Sequence, residues 1–180
     1  MRFSTFLAAA MFLAAPIAAA EPRRDPAAPL VPISEFNHAE LLGDWFEIAQ
    51  TPTIVERDCH GTTSRVELRD DSRLTLRIAC PVGFFDGPVL PIDGIMVETE
   101  PGVFMVRLVR LPQMGNLQVV VIWLAPDKSL VALGSPLGDI GWIWGRSALP
   151  DEALLEEARQ ALVGAGYSPT AIRAVEHPGG

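Results

Sequence analysis

The sequence predicts an all-β protein, an eight-stranded up-and-down antiparallel β-barrel with a C-terminal α-helix packed outside it. Three observations support this fold class. Strand-like runs follow one another, turn residues separate them, and helical periodicity appears only after the eighth run. Parallel strands would need a crossover connection of about a dozen residues or more, so the runs are expected to pair antiparallel. Eight such strands can close into a barrel.

The predicted strands differ in how clearly they show which face is buried. Alternation of apolar and polar side chains is clear in the second and third runs, as expected of strands with one buried face. In Leu117–Leu124, apolar residues occupy both faces, so the pattern does not determine the inward face. The eight runs cover residues 43–50, 61–69, 74–80, 89–98, 103–111, 117–124, 129–135 and 140–147.

The N-terminal part of the chain is expected to lie outside the barrel. Residues 1–20 combine a positive charge at Arg2, an apolar run and a small-residue end, which predicts a secretory signal peptide cleaved near Ala20. An uncleaved N-terminal anchor is the alternative for this segment. Residues 21–34 are rich in proline and are predicted to form an extended leader, neither helix nor strand.

The barrel and its helix are expected over residues 35–177. Asn37 is suited to cap a short helical turn ahead of the first strand. Residues 150–165 begin with Pro150 and acidic side chains and then repeat apolar residues at helical spacing, which predicts the outer helix and its packing face. A short strand is expected afterwards, at Thr170–Val175.

Composition and charge limit the classes of partner. The 180 residues are 49% hydrophobic and 20% charged, which suits one globular domain with a substantial core. The formal net charge is −8 and no basic stripe is present, so neither nucleic acid nor an anionic membrane surface is an expected partner. No cysteine lies near the predicted cleavage point for a lipid anchor. We therefore expect a soluble periplasmic or secreted protein without a stable membrane anchor.

Antiparallel closure predicts a contact between the first and last barrel strands. With eight alternating strands, the end of the eighth lies beside the start of the first, which brings Arg146 close to Trp45. A guanidinium over an indole face contributes about 0.5–2 kcal/mol and would seal that end of the barrel against water. The closed end is therefore predicted to contain Gly43, Trp45 and Arg146.

The two cysteines are predicted to form a disulfide. An even cysteine count in an exported protein favours pairing, and two free buried thiols are the alternative. The meander places Cys59, in the loop after the first strand, and Cys80, at the end of the third, at the same open end of the barrel. A bond between them would hold the entrance loop.

These residues resemble those of the lipocalin family. Gly43-Asp44-Trp45 is similar to the glycine-x-tryptophan signature of lipocalins, and Arg146 matches the single arginine at the end of their last barrel strand. The stretches LLGDWFEIAQTP and ALGSPLGDIGWIWGRS look like bacterial lipocalins and apolipoprotein D. The resemblance covers roughly Phe36 to Val175. It implies a lipocalin-type barrel that binds lipids or other small hydrophobic molecules.

On this resemblance, the inward faces of the strands would form the ligand-binding wall. Alternation puts mainly aliphatic side chains there, which suits a fatty acid, a lysophospholipid or a similar guest. A barrel filled by its own side chains, without a ligand, is the alternative. The predicted ligand-binding residues are Ala49, Val66, Leu68, Leu76, Ile78, Phe104, Val106 and Leu108.

The sequence contains no recognisable catalytic or metal-binding pattern. Ser135 does not fit the nucleophile motif of serine hydrolases, and the three histidines lack metal-ligand spacing. No catalytic residue, metal or cofactor is therefore predicted, and the protein is expected not to be an enzyme. The alternative is a lipocalin-fold enzyme that acts on a hydrophobic substrate in the cell envelope.

Glu47 is the one inward-facing acid that the pattern predicts. The functional interpretations are a partner for a ligand head group and a proton-linked gate. The structural interpretation is a carboxylate hydrogen-bonded near the closed end, and the closeness of Glu47 to Trp45 in sequence favours it.

Overall fold

The fold is a closed antiparallel barrel. The computed structural model describes residues 22–53 and 56–179, so the predicted signal peptide lies outside the described residues. The strands of the described part are β1 (Gly43–Gln50), β2 (Thr63–Leu68), β3 (Leu74–Pro81), β4 (Val89–Glu100), β5 (Val103–Leu108), β6 (Asn116–Leu124), β7 (Leu130–Gly134), β8 (Gly141–Gly145) and β9 (Arg173–Ala174). Sequence neighbours pair from β2 to β8, and β1 pairs with both β8 and β2, which closes the ring. The predicted eight-stranded barrel is confirmed.

The predicted outer helix is present as α1 (Glu152–Gly164). Asp151 caps it, because its carboxylate accepts hydrogen bonds from two backbone N–H groups of the first turn at 2.9 and 3.1 Å. Ala158 and Leu162 are its buried residues, and the helix packs mainly on β7. Within the described ranges, no helix is long and apolar enough to cross a membrane.

The barrel wall separates two hydrophobic cores. The inner core fills the barrel and includes Trp45, Phe104 and Trp144. The outer core lies between the wall and α1 and includes Leu162 and Tyr167. Every residue of β7 and β8 is buried, because these strands contact the inner core on one face and the outer core on the other.

A β-bulge changes the face that the end of β1 presents. The register between β1 and β8 shifts between Glu47 and Ala49, so Ile48 is the extra residue. Ala49 therefore lies in the outer core, while Gln50 pairs with the inward-facing Trp142. The prediction that Ala49 lines the inner wall is wrong, because simple alternation does not allow for the inserted residue.

β2 and β9 share one edge of β1. β2 pairs with residues 43–46, and β9 pairs with Ala49 and Gln50 nearer the open end. β1 and β2 therefore separate toward the open end of the barrel. The segment that joins them begins at this separation and supplies part of the site described below.

The proline-rich leader runs along the outside of the barrel. Arg24 is 4% exposed and forms an isolated antiparallel bridge with Tyr167. Its guanidinium donates to the backbone carbonyls of Ala165 and Pro136 at 2.8 and 2.9 Å. The described part of the leader is thus docked on the barrel by hydrogen bonds and forms neither helix nor regular strand.

Candidate ligand-binding site

Arg146 and Trp45 close one end of the barrel. The guanidinium of Arg146 lies over the Trp45 ring, with Cζ 3.5 Å from the ring centroid. Nη1 donates to the Asp44 carbonyl at 2.9 Å, and Nη2 donates to the carbonyls of Glu40 and Leu42 at 3.0 and 2.9 Å. The guanidinium thus ties the end of β8 to the start of β1 and to the turn before it.

Gly43 is required by the same contact. Its φ is +97°, a conformation that L side chains rarely adopt, and a Cβ there would lie 3.2 Å from Nη1 of Arg146. A side chain at this position would strain the backbone and press on the guanidinium. The buried indole N–H of Trp45 is hydrogen-bonded, because Nε1 donates to the Leu41 carbonyl at 2.7 Å.

A cavity of about 210 Å³ lies inside the barrel toward its open end. Its wall is mostly apolar and is supplied by β3 to β6, by β8 and by the adjoining loops. The principal apolar lining residues are Leu76, Ile78, Ile92, Val106, Leu108 and Trp142. Its polar lining residues are Arg23, Thr53, Glu56 and Asp139.

The predicted wall residues fall into distinct settings. Four of them line the cavity: Leu76, Ile78, Val106 and Leu108. Two belong to the inner core without lining the cavity: Val66 and Phe104. Two lie outside the barrel interior: Ala49, in the outer core, and Leu68, which is 55% exposed.

Leu68 is exposed because the barrel wall ends before it. The last pair between β1 and β2 joins Gly43 to Val66, so no β1 residue lies beside Leu68. Its neighbour on the other side is Leu74 of β3. The prediction that Leu68 lines the wall is therefore wrong, although the alternation of β2 points its side chain in the expected direction.

The predicted disulfide joins Cys59 to Cys80, and their Cα atoms are 5.0 Å apart. Backbone hydrogen bonds support it on both sides, since the His60 N–H donates to the Pro81 carbonyl and the Gly83 N–H donates to the Asp58 carbonyl, both at 2.8 Å. The segment before Cys59 is thereby fixed to the end of β3. This holds Glu56 at the mouth of the barrel.

Two buried carboxyl groups lie inside the barrel beside the cavity. Glu47, on β1, is fully buried, and Glu56 is 3% exposed and lines the cavity. Burial raises the pKa of Glu47 well above its ordinary value of 4.5, and the negative charge of Glu56 raises it further. Burial also raises the pKa of Glu56, although the Thr53 hydroxyl, which donates to Glu56 at 2.7 Å, opposes the rise.

The surroundings of Glu47 do not support the structural interpretation of its carboxyl group. Within the described ranges, neither carboxyl oxygen has a hydrogen-bond partner. The hydrogen bonds of Glu47 are made by its backbone. Its N–H donates to the Thr62 carbonyl at 3.0 Å, and its carbonyl accepts from His177 Nε2 at 2.8 Å. The buried carboxyl is thus not compensated by a hydrogen bond from the described residues.

Polar side chains occupy one sector of the barrel interior, which we call the polar sector: Glu47, Gln50, Glu56, Thr62, Ser64, Trp142 and Trp144. Each has at least one buried side-chain atom without a hydrogen-bond partner in the described part of the chain. The indole N–H of Trp142 opposes the rise in the pKa of Glu56 but does not complete a hydrogen bond of ordinary geometry. The rings of the two tryptophans stack with centroids 5.4 Å apart. The wall formed by β3 to β6 is aliphatic, so the interior is polar on one side only.

Sequence reasoning missed Glu56 and Trp142. Glu56 lies in a loop, where periodicity assigns no face, and it is positioned by hydrogen bonds of its backbone, since its N–H donates to Thr53 Oγ1 at 3.1 Å and its carbonyl accepts from the Cys59 N–H at 3.0 Å. Trp142 is two residues before Trp144 in a regular strand, so the two share one face. The two-residue spacing of Trp142 and Trp144 is therefore a signal in the sequence that predicts the inward position of Trp142. In residues 22–53 and 56–179, no group of His, Cys, Asp or Glu is arranged to hold a metal ion.

The family follows from a comparison of the whole domain. A family model described as a lipocalin-like domain matches residues 37–177, which include the barrel, the disulfide and the outer helix. The chain belongs to the lipocalin-like family. Whether it is of the bacterial or apolipoprotein D-like subtype stays a prediction. No curated protein sequence matches this lipocalin-like chain.

Solved structures share the lipocalin-like fold at low sequence identity. Lobster apocrustacyanin A1 has 16% identity and a TM-score of 0.63, with 78% of this chain and 79% of that chain covered. Apocrustacyanin C2 has 16% identity and a TM-score of 0.64, with 79% and 81% covered. The major allergen Per a 4 from cockroaches has 14% identity and a TM-score of 0.59, with 85% and 96% covered. At these identities the similarity establishes the fold alone.

Proposed function

We propose that this protein binds and carries a small hydrophobic ligand inside its barrel. The observation that carries the proposal is the cavity of about 210 Å³, which has an aliphatic wall and a few polar groups on one side. This composition is typical of small-molecule sites, in which apolar surface provides affinity and sparse polar groups orient the ligand. Membership of the lipocalin-like family supports the same class of ligand.

The arrangement of the lining suggests how an amphiphilic ligand would be oriented. The fatty acids and lysophospholipids predicted from the sequence would place their acyl chain against the aliphatic wall and their head group at the mouth. Arg23, which lines the mouth, is suited to meet an anionic head group there.

We further propose that the protein is exported and acts in the periplasm or outside the cell. The disulfide supports this location, because such bonds persist in oxidising compartments. The prediction of a signal peptide at residues 1–20 points the same way. Sequencing of the mature N-terminus should find a chain that begins near Glu21, and an intact N-terminus at Met1 would contradict cleavage.

Binding of an apolar ligand is the direct test of the carrier function. Protein freed of lipid is titrated by calorimetry with 1-octanol, whose uncharged head group makes it a neutral reference, and with a fluorescent fatty acid. We expect saturable binding of one ligand per barrel. Native mass spectrometry of protein from its own source should also show a bound small molecule. An absence of saturable binding, together with a ligand-free mass, would reject the proposal.

The enzyme alternative has less support. Glu47 and Glu56 are an acid pair inside the barrel, but Glu47 does not line the cavity. Both cysteines are in the disulfide, and no histidine of the described residues lines the cavity. Among the described lining residues, the one hydroxyl beside a carboxyl is that of Thr53, which donates to Glu56 at 2.7 Å and accepts from the Glu56 N–H at 3.1 Å. This reciprocal pattern is typical of a local turn and not of a nucleophile activated for covalent catalysis.

A further inference from the structure

The barrel interior holds an acidic pair without a basic counterpart. Neither Glu47 nor Glu56 takes part in an ion pair within the described ranges. The charge that acts on Glu47 is that of Glu56, and no cation contributes to the pKa of either group. Buried carboxyl groups are costly unless a partner compensates them. A ligand that supplies a positive charge would provide that compensation.

The polar sector is rich in hydrogen-bond acceptors. Within this sector, the buried oxygens without a partner in the described part of the chain belong to Glu47, Gln50, Glu56, Thr62 and Ser64. Carboxylate and amide oxygens accept hydrogen bonds, and hydroxyl oxygens are able to accept them. The unpartnered N–H donors in this sector are the two indole groups of Trp142 and Trp144. A ligand head group with several N–H donors matches this arrangement better than one with acceptors.

We propose that Glu56, with the carboxyl of Glu47 beside it, binds the amino group of a small amphiphilic amine whose apolar body fills the cavity. This inference rests on the proposed function, because it names the head group of a ligand in the same cavity. Glu56 lines the cavity and contacts the amino group, and Glu47, which is buried on β1 and does not line the cavity, adds the attraction of a second carboxyl without a partner in the described ranges. An ammonium group has three donors and no acceptor, which suits the polar sector. The indole faces of Trp142 and Trp144 add attraction for a cation.

The other charged groups near the cavity fit this orientation. Arg23 and Asp139 line its mouth. His177 is occupied by its hydrogen bond to the Glu47 carbonyl. A ligand carboxylate directed toward Glu56 would face two acids and several acceptors, so an anionic head group is expected to lie beside Arg23 instead. The side of the cavity that carries Glu56 therefore discriminates amines from acids of the same chain length.

Amine binding is linked to the release of a proton. Burial raises the pKa of both carboxyl groups, so the free protein retains a proton on the pair above the ordinary range of a glutamate. An ammonium in contact with the pair favours the ionised form of one carboxyl, which gives its proton to solvent. The affinity for the amine should then increase with pH over the range in which the free protein keeps that proton.

The test compares three eight-carbon ligands with one apolar body: octylamine, 1-octanol and octanoate. Calorimetry over a pH series that begins at the ordinary glutamate pKa, in two buffers of different ionisation enthalpy, gives the Kd and the number of protons released at each pH. We expect octylamine to bind at least about tenfold more tightly than 1-octanol, as a charge-assisted hydrogen bond provides. Binding of octylamine should release protons from the protein, and binding of 1-octanol should release none. Octanoate should bind more weakly than octylamine.

Isosteric variants locate the head group. Glu56→Gln should lower the affinity for octylamine by about tenfold or more, and Glu47→Gln, which removes a charge behind the lining, should lower it by less. Both variants should reduce the proton release, while 1-octanol binds to them as to the wild type. Glu157→Gln, on the exposed face of α1, removes the same charge far from the cavity and should change neither ligand. Melting curves of each variant verify that it is folded.

The outcomes separate this inference from the carrier function. Octylamine that binds no more tightly than 1-octanol or octanoate would overturn the head-group assignment and leave the carrier function standing. Octylamine affinity unchanged in both glutamine variants would do the same. If none of the three ligands binds, the carrier function itself fails.

Discussion

The guanidinium of Arg146 lies 3.5 Å from the centroid of the Trp45 ring and donates to three backbone carbonyls of the turn and strand beside it. One side chain thereby holds the two strands that close the barrel and covers its sealed end. The ligand cavity lies toward the opposite end, so this contact serves stability and not recognition.

Replacement of Arg146 by alanine should destabilise the protein without a loss of ligand binding. Loss of the cation–π contact and of the charged donors to three carbonyls is expected to cost about 2 kcal/mol. That corresponds to a fall in Tm of about 4–8 °C for a domain of this size. Differential scanning calorimetry measures it.

Arg65→Ala is the matched control for Arg146→Ala. Arg65 pairs with Asp44 at 3.0 Å on the exposed surface, where an ion pair contributes about 0–1 kcal/mol. It should change Tm by much less than Arg146→Ala does. Equal effects of the two replacements would show that Arg146 is no more than another surface charge.

Glu47→Gln should gain stability over the wild type as pH rises. The folded-state pKa of Glu47 is raised above its ordinary value of 4.5, so above about that pH the unfolded chain loses a proton that the folded chain keeps. The free energy of unfolding of the wild type then falls, at up to about 1.4 kcal/mol per pH unit for this group, until the folded-state pKa is passed. Glutamine does not titrate and avoids this loss.

Urea denaturation across a pH series tests the behaviour of Glu47. Below pH 4.5 the difference in stability between Glu47→Gln and the wild type should be constant, and above it the difference should grow in favour of the variant. Glu157→Gln again provides the control for net charge. A difference that does not depend on pH would mean that the pKa of Glu47 is the same in the folded and the unfolded protein.

Removal of the disulfide should destabilise the protein and loosen the mouth of the barrel. Cys59 and Cys80 are 21 positions apart, and a closed loop of this size contributes about 3 kcal/mol, mainly through the unfolded state. The double replacement Cys59→Ala with Cys80→Ala should lower the denaturation midpoint accordingly. Because the bond also holds Glu56 at the cavity, stopped-flow measurements should show faster release of ligand. Unchanged stability and an unchanged release rate would exclude both roles.

A charge in the cavity wall should abolish ligand binding. Leu76 is 1% exposed and lines the cavity, so Leu76→Asp places a carboxylate against the apolar body of the ligand. Leu68→Asp, on the same sheet but on a side chain that is 55% exposed, should bind ligand as the wild type does. Titration with 1-octanol provides the comparison, and circular dichroism verifies the fold. Equal binding by both variants would place the ligand outside the barrel.

The strand order and the closed end could be predicted because both depend on regular patterns. Alternation and turn residues define the strands, and the antiparallel order then brings Arg146 to Trp45 without further information. Leu76, Ile78, Val106 and Leu108 lie on the cavity wall because their strands are regular throughout. The disulfide follows from the same meander, since it brings both cysteines to one end.

The remainder of the site depends on irregular features that alternation does not contain. Ala49 faces the helix because Ile48 is an inserted residue, and a bulge of this kind leaves no mark in the hydrophobic pattern. Leu68 is exposed because β2 extends beyond its partner β1. Glu56 enters the barrel from a loop, where burial depends on how the loop is anchored and not on its local sequence.

The hydrogen bonds that Arg146 forms with the start of β1 also determine when folding can be completed. Asp44 and Arg146 are 102 positions apart in sequence, so the ring closes only after nearly the whole domain is available. Contacts between residues that are far apart in sequence cost loop-closure entropy before they contribute stability. A fold that depends on such contacts therefore folds slowly. Until then β1 keeps an unpaired edge, which is a template for association with other chains. The dependence on chaperones and the loss of protein to aggregation during refolding should therefore increase with the time for which β1 remains unpaired with β8.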